Sequence, residues 1–307
     1  MNWVTLSEFV HRQLGDQVPE SAIHYRPVLL ARTGERQALQ DLTDEDHQRF
    51  TPIFVAPPRA WNFQTETFDK TLAQHLEKLP AELAKARGGR TAFIDLLFLA
   101  DDLSQVEGLH PLQWLYEHSQ EEGVDLIPVV SSSSPSDLII AARDLHATAG
   151  TGIALRLLPA DWPSGDPKGF KELLDELELG PSEVDLILDL GEDTASHLTL
   201  RALVPEIEWA NANGAWRSLT IAGAGFPAPK DLPGKGINVV ERTDWATYGQ
   251  VSTLVVAAGL DAPDYSDYGV ATYDPVVEVD PRMLNISATF RYTTNDVWLF
   301  GRGEVYY

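Results

Sequence analysis

Short apolar runs alternate with longer amphipathic segments along most of this chain, and this alternation restricts the possible folds more than any other feature. The apolar runs have the length of strands and are nearly continuous, as in parallel strands buried on both faces. Strands that alternate with helices of ten or more residues predict βαβ units and a parallel sheet. We predict strands at 25–31, 51–55, 92–99, 126–130, 152–158, 184–190 and 217–222, and an eighth near 269–273.

The segments between these strands have the spacing of amphipathic helices. Ser134 would cap one of them, with Pro135 at its first helical position, and Thr43 with Asp46 has the pattern of a capping box. Seven or eight such units in 307 residues predict an α/β fold, a (β/α)8 TIM-barrel-like domain, with an open doubly wound sheet as the alternative. We predict helices at 35–40, 67–87, 110–122, 135–147, 169–178, 195–211 and 243–258.

Both ends of the chain depart from this rhythm. Residues 2–14 carry apolar side chains at helical spacing, which predicts an N-terminal helical extension within residues 1–24 that covers an end or an edge of the barrel. Near the other end, 287–292 and 297–302 flank a polar turn and predict a C-terminal β-hairpin. Residues 25–307 would then form a single barrel-like domain.

The net charge of −23 makes direct binding to nucleic-acid phosphates unfavourable over much of the surface. Solubility is the simplest explanation of this charge, and a face for a basic protein partner or a DNA-mimicking face are the alternatives. The acidic residues are spread along the chain, whereas a mimic needs them on one face. The sequence contains no cysteine, no metal-ligand spacing of histidines and no complete nucleotide-binding motif, so we expect no cofactor and no metal site.

The first residues lack the basic and apolar regions of a signal peptide, and no apolar run reaches the length of a membrane span. We expect a cytoplasmic protein that does not interact with membranes.

Four charged residues lie within or directly after apolar strands: Arg32, Asp95, Arg156 and Asp189. A buried isolated charge costs several kcal/mol, so these side chains must pair or reach water. Because the carboxyl ends of barrel strands meet at one face, we expect the four to converge there. They would form either an ion-pair network that fixes strand register or a binding pocket in which Asp95 and Asp189 act as catalytic acid and base.

A second polar group lies in the C-terminal third, where Asp267, Tyr268, Arg291 and Tyr292 combine charge with aromatic rings. Arginine with aromatic side chains is suited to planar or anionic ligands. Ordinary cross-strand pairing is the alternative. For Trp298 we expect core packing.

Several ordered motifs resemble those of the beta protein family, which is named after a protein of bacteriophage T4. The opening resembles that family at Tyr25-Arg26-Pro27-Val28-Leu29, Arg32-Thr33-Gly34-Glu35 and Pro57-Pro58, and the closing part at Asp267-Tyr268-Gly269, Arg291-Tyr292-Thr293 and Arg302-Gly303. The resemblance covers about residues 25–303. It implies no defined biochemical activity, but it implies a phage-encoded protein or a bacterial protein of anti-phage defence, with a nuclease or another defence component as partner.

Together these features favour an accessory or recognition protein in phage–host conflict that binds a protein, peptide or anionic ligand at the barrel mouth. A hydrolase or phosphodiesterase that uses Asp95 and Asp189 with an arginine anion clamp is the alternative, and arginine–aspartate pairs closed on each other would contradict it. An acidic DNA-mimicking inhibitor is the third hypothesis. The ligand-binding candidates are Arg32, Glu35, Arg156, Asp267, Tyr268, Arg291 and Tyr292.

Overall fold

The computed structural model describes residues 24–195, 197–227, 231–232, 234–269 and 286–306. Strands and helices alternate within them, as the sequence predicts. The elements are β1 (Val28–Leu29), α1 (Thr33–Gln40), α2 (Asp44–Gln48), β2 (Ile53–Val55), β3 (Trp61–Asn62), β4 (Thr67–Phe68), α3 (Leu72–Leu76), α4 (Leu79–Arg87), β5 (Ala92–Asp95), α5 (Pro111–Glu121), β6 (Leu126–Val130), α6 (Ser136–Ala149), β7 (Ile153–Leu157), α7 (Pro167–Leu177), β8 (Val184–Asp189), α8 (His197–Asn213), β9 (Ser218–Gly223), β10 (Gly236–Glu241), α9 (Thr243–Ala257), β11 (Asp264–Asp267), β12 (Ile286–Thr293) and β13 (Val297–Tyr306).

Eight parallel strands form the main sheet, in the order β1-β2-β5-β6-β7-β8-β9-β11. The strand order never reverses, unlike that of a doubly wound sheet. Tyr25, just before β1, forms a parallel bridge with Tyr265 in β11, and the backbone N–H of Arg26 donates to the carbonyl of Tyr265 at 2.8 Å. The sheet is therefore nearly closed into a barrel, which confirms the predicted fold class.

Alternation along each strand divides the apolar side chains between two cores. In β8, Leu186 and Leu188 face the outer core beneath the helices, whereas Ile187 between them faces the barrel interior. The interior is filled by side chains from successive strands, among them Val28, Ile53, Phe93, Ala154, Ile187 and Ala222. The barrel is thus a packed core, and its polar residues collect at the ends of the strands.

A second, antiparallel sheet has the order β10-β13-β12. It contains the predicted hairpin, in which Tyr292 of β12 pairs with Leu299 of β13, and β10 adds a third strand by pairing Val239 with the same Leu299. Trp298 and Phe300 are fully buried against Phe226, so Trp298 is a core residue as predicted. Because β10 follows β9 and β12 follows β11 along the chain, this sheet is connected to the carboxyl end of the barrel strands.

Three local predictions were wrong. The last barrel strand is Asp264–Asp267, which we expected to be a loop, and Gly269 lies in the turn that follows it. The predicted helix at 67–87 is instead β4 followed by two helices, α3 and α4, with Pro80 in the first turn of α4. Helix α6 begins at Ser136, one residue later than expected, and the hydroxyl of Ser134 accepts from the backbone N–H of Ser131 instead of capping the helix.

The predicted N-terminal helix at 2–14 and positions 270–273 of the predicted eighth strand lie outside the described residues. None of the helices in the described ranges is both long and apolar enough to cross a membrane.

Candidate functional site

Three of the four predicted charged residues meet at the carboxyl end of the barrel. Arg156, near the end of β7, donates from Nε to Asp189 Oδ2 and from Nη1 to Asp95 Oδ2, each at 2.7 Å. Its Nη2 donates to the hydroxyl of Tyr268, which in turn donates to Asp189 Oδ2 at 2.5 Å. We call Asp95, Arg156, Asp189 and Tyr268 the Arg156 network.

The Arg156 network is buried and closed on itself. Asp189 has no exposed surface, and Asp95 and Arg156 are each 7% exposed. Backbone N–H groups hold the remaining carboxylate oxygens, since Leu97 donates to Asp95 Oδ1 and Gly191 donates to Asp189 Oδ1, both at 2.9 Å. Burial alone would lower the pKa of Arg156, but Tyr268 and the two carboxylates raise it well above its ordinary value. Arg156 therefore carries a fixed positive charge.

A second buried group, the Arg242 cluster, joins the barrel to the antiparallel sheet. Its carboxylates are Asp244 and Asp267, which both accept from the hydroxyl of Tyr265, at 2.5 and 3.0 Å. Arg242 donates to Asp267 Oδ2 at 3.2 Å, and Tyr25 donates to Asp267 Oδ1 at 2.6 Å. Arg242 also donates to the backbone carbonyl of residue 294 at 3.2 Å, in the turn between β12 and β13.

The two carboxylates of the Arg242 cluster compete for one guanidinium. Burial and the charge of Asp267 together raise the pKa of Asp244 to about 6, against the opposing attraction of Arg242. Arg242 lies 3.7 Å from Asp244, farther than from Asp267. The cluster is therefore a structural connection whose charge changes near pH 6.

The remaining predicted ligand-binding residues do not join these groups. Arg32 is exposed, and its backbone N–H donates to Glu35 Oε2 at 3.0 Å, at the start of α1. Among the described residues, no hydrogen bond of the Arg156 network involves Arg32. In β12 the guanidinium of Arg291 lies 4.4 Å from the centre of the Phe226 ring, while Tyr292 is exposed on the opposite face. These residues are therefore separate features of the surface.

A cavity of about 80 Å3 lies beside the Arg156 network, at the ends of β5, β6 and β7. Asp95 and Arg156 line it, together with the serine-rich loop after β6. This loop contains Ser131, Ser133 and Ser134, which places hydroxyl groups beside the cavity. Asp189 does not reach the cavity lining, so only one of the two candidate catalytic carboxylates faces the space.

Exposed apolar side chains surround this end of the barrel. Leu97 and Leu158 line the cavity, and the short hairpin β3–β4 after β2 presents Trp61 and Phe68. The two rings meet edge to face at 5.0 Å. Each of the four is between 37% and 43% exposed. We call Trp61, Phe68, Leu97 and Leu158 the mouth rim.

An ion pair and a ring contact connect the hairpin to the loop after β5. Arg59 lies 3.7 Å from the Phe68 ring centre and forms a salt bridge with Asp102 in the loop after β5. The sequence interpretation missed this arrangement. A short alternation of aromatic and polar residues at 61–68 was the available signal, but the segment was too short to separate a hairpin from a loop.

The family of the chain follows from its similarity to known proteins. A family model described as Beta protein matches residues 25–306. The chain belongs to the beta protein family. A search of curated proteins found no match. In this beta protein, the family region includes both buried charge groups and the mouth rim, while residues 1–24 precede it.

Proposed function

We propose that this beta protein is a recognition protein in phage–host conflict that binds a protein or peptide partner at the mouth rim. The carrying observation is the set of four exposed apolar side chains that follow β2, β5 and β7 at the carboxyl end of the barrel, two of which line the cavity. Apolar patches rimmed by polar groups mark interaction sites, and aromatic anchors such as Trp61 supply much of the binding energy in interfaces.

The arrangement of the Arg156 network supports recognition over hydrolysis. A catalytic acid and base pair needs two carboxylates that reach the substrate. An anion clamp needs an arginine whose N–H donors are free to bond the anion. Asp189 is fully buried with both oxygens bonded, and Arg156 is held by two carboxylates. These contacts are those of an ion-pair network that fixes the positions of three strand ends.

The proposed role in phage–host conflict rests on the family resemblance, and a cytoplasmic setting is proposed because a sequence without cysteine suits a reducing compartment. The partner would be a protein component of that conflict, and a nuclease is one such component. The net charge of −23 supports a protein partner over nucleic acid. The acidic residues are spread over many elements, which disfavours DNA mimicry.

A plating assay with matched surface variants tests the proposal. Cells that express wild-type protein, Trp61→Ala with Phe68→Ala, or Ile140→Ala are challenged with a panel of phages. Ile140 is 43% exposed on α6, as exposed as Trp61, but it lies outside the mouth rim. We expect the wild type and Ile140→Ala to reduce plating equally and the hairpin variant to lose this effect. Equal protection by all three, with unchanged circular dichroism spectra, would contradict the proposal.

A further inference from the structure

The small cavity at the mouth has a defined chemistry. Its volume of about 80 Å3 is far below the several hundred Å3 of a pocket that encloses a whole ligand, and it corresponds to the end of one side chain. Its lining includes the charged residues Asp95, Arg156 and Asp161, and the exposed apolar side chains Leu97 and Leu158. An occupant must therefore have a polar end and an apolar stem.

The charges around the cavity sum to a negative value. Asp95 and Asp161 line it and Asp189 lies directly behind, whereas Arg156 is the one positive side chain in its lining. Three carboxylates against one guanidinium give a local charge of about −2 at neutral pH. Because both bonds of Arg156 to carboxylates are 2.7 Å long, its charge is already balanced within the network.

The N-terminus of α6 also borders the cavity, and a helix N-terminus alone would favour an anion. This one already has an acidic partner. Asp137 lies in the first turn of α6, and its Oδ1 accepts from the backbone N–H of Leu138 at 2.9 Å. The negative charge of this carboxylate offsets the partial positive charge at the start of the helix, so the electrostatic potential in the cavity remains negative.

The oxygen atoms in the cavity lining can accept further hydrogen bonds. Each oxygen of Asp95 accepts one bond, from Leu97 or from Arg156, and a carboxylate oxygen can accept two. The hydroxyls of Ser131 and Ser133 lie 3.1 Å apart in the adjoining wall and can also accept. A group with several donors and a positive charge satisfies these acceptors best.

From these contacts we infer that the cavity binds a primary ammonium group at the end of an unbranched alkyl stem, as in a lysine side chain of the partner. The ammonium donates to Asp95, Asp161 and a serine hydroxyl, and the methylene groups pass between Leu97 and Leu158. The inference rests on the proposed function, since it specifies which side chain the mouth accepts.

Three probes of equal length test this chemistry in the full chain. Butylammonium, butyrate and 1-butanol are titrated separately at constant ionic strength while NMR follows the backbone amides of residues 131–134. We expect saturable shifts with butylammonium, with a dissociation constant on the order of 1 mM, and no saturable shifts with the other two. Saturation by butyrate, or by none of the probes, overturns the inference.

Two charge-matched variants separate specific binding from general attraction to an acidic protein. Asp161→Asn removes a cavity carboxylate, and Glu176→Gln removes an exposed carboxylate on α7. We expect Asp161→Asn to weaken butylammonium binding at least about fivefold, which is one lost charged hydrogen bond, and Glu176→Gln to leave it unchanged. Equal weakening in both variants overturns the inference.

The plating assay keeps the two proposals distinguishable. If the Trp61 and Phe68 variant loses protection but butylammonium does not bind, the recognition function stands and the cavity chemistry is wrong. If butylammonium binds at 131–134 but the hairpin variant still protects, the cavity chemistry stands and the proposed function is wrong.

Discussion

Replacing Arg156 by leucine tests the physical role of the Arg156 network most severely. The substitution leaves Asp189 fully buried with Tyr268 and one backbone N–H as its remaining donors. Removing one partner of a buried ion pair costs about 3–5 kcal/mol, a large part of the total stability of a domain. A buried carboxylate that has lost its cation can take up a proton instead. Each unit by which its pKa rises corresponds to about 1.4 kcal/mol in favour of the protonated form. We therefore expect the loss to be smaller at pH 5 than at pH 8.

Urea unfolding followed by tryptophan fluorescence and by far-UV circular dichroism measures this loss at both pH values. Arg143→Leu is the matched control, because Arg143 pairs with Asp144 on the surface of α6 at 3.0 Å. An exposed pair of this kind contributes less than about 1 kcal/mol. A loss below about 1 kcal/mol for Arg156→Leu, or one that does not depend on pH, would refute a closed, buried network.

Two further predictions concern pH dependence and backbone strain. The pKa of Asp244 is about 6 in the folded state, above its ordinary value of 3.8, so the folded state binds the proton more tightly. This group's contribution to the unfolding free energy therefore falls by about 2 kcal/mol as pH rises from 4 to 7, and Asp244→Asn should remove that slope in denaturation curves. Gly152→Ala should destabilise the fold more than Gly150→Ala in the same assay. Both glycines have positive φ, but a Cβ at 152 would lie 2.6 Å from the carbonyl oxygen of Glu183, whereas at 150 nothing lies within 4 Å.

The barrel could be predicted because its βα units are local and repeat along the chain. In β8, the run from Val184 to Asp189 shows both the buried strand and the charge at its end. The meeting of Asp95, Arg156 and Asp189 could be predicted for the same reason, since parallel strands bring their carboxyl ends to one face. Tyr268 was noted only as a separate candidate, and its bond to Asp189 spans 79 residues.

The missed elements depend on contacts that the local sequence does not contain. Strand β11 is polar and short, and its side chains are buried because Tyr25, Arg26 and Arg242 supply distant partners. Strand β10 is an edge strand with exposed valine and isoleucine side chains, and its pairing with β13 spans about sixty residues of chain. The Arg242 cluster was missed for the same reason, because its side chains come from Tyr25 before β1, from the start of α9 and from β11.

One comparison tests most directly whether the mouth recognises a partner or performs catalysis. Plating efficiency is measured for Leu158→Arg, which changes the rim, and for Asp189→Asn, which removes a carboxylate that the hydrolase alternative requires. Both variants are first shown to be folded by circular dichroism. The recognition account predicts that Leu158→Arg loses phage protection and Asp189→Asn keeps it. Protection that survives Leu158→Arg but disappears with Asp189→Asn would contradict the account.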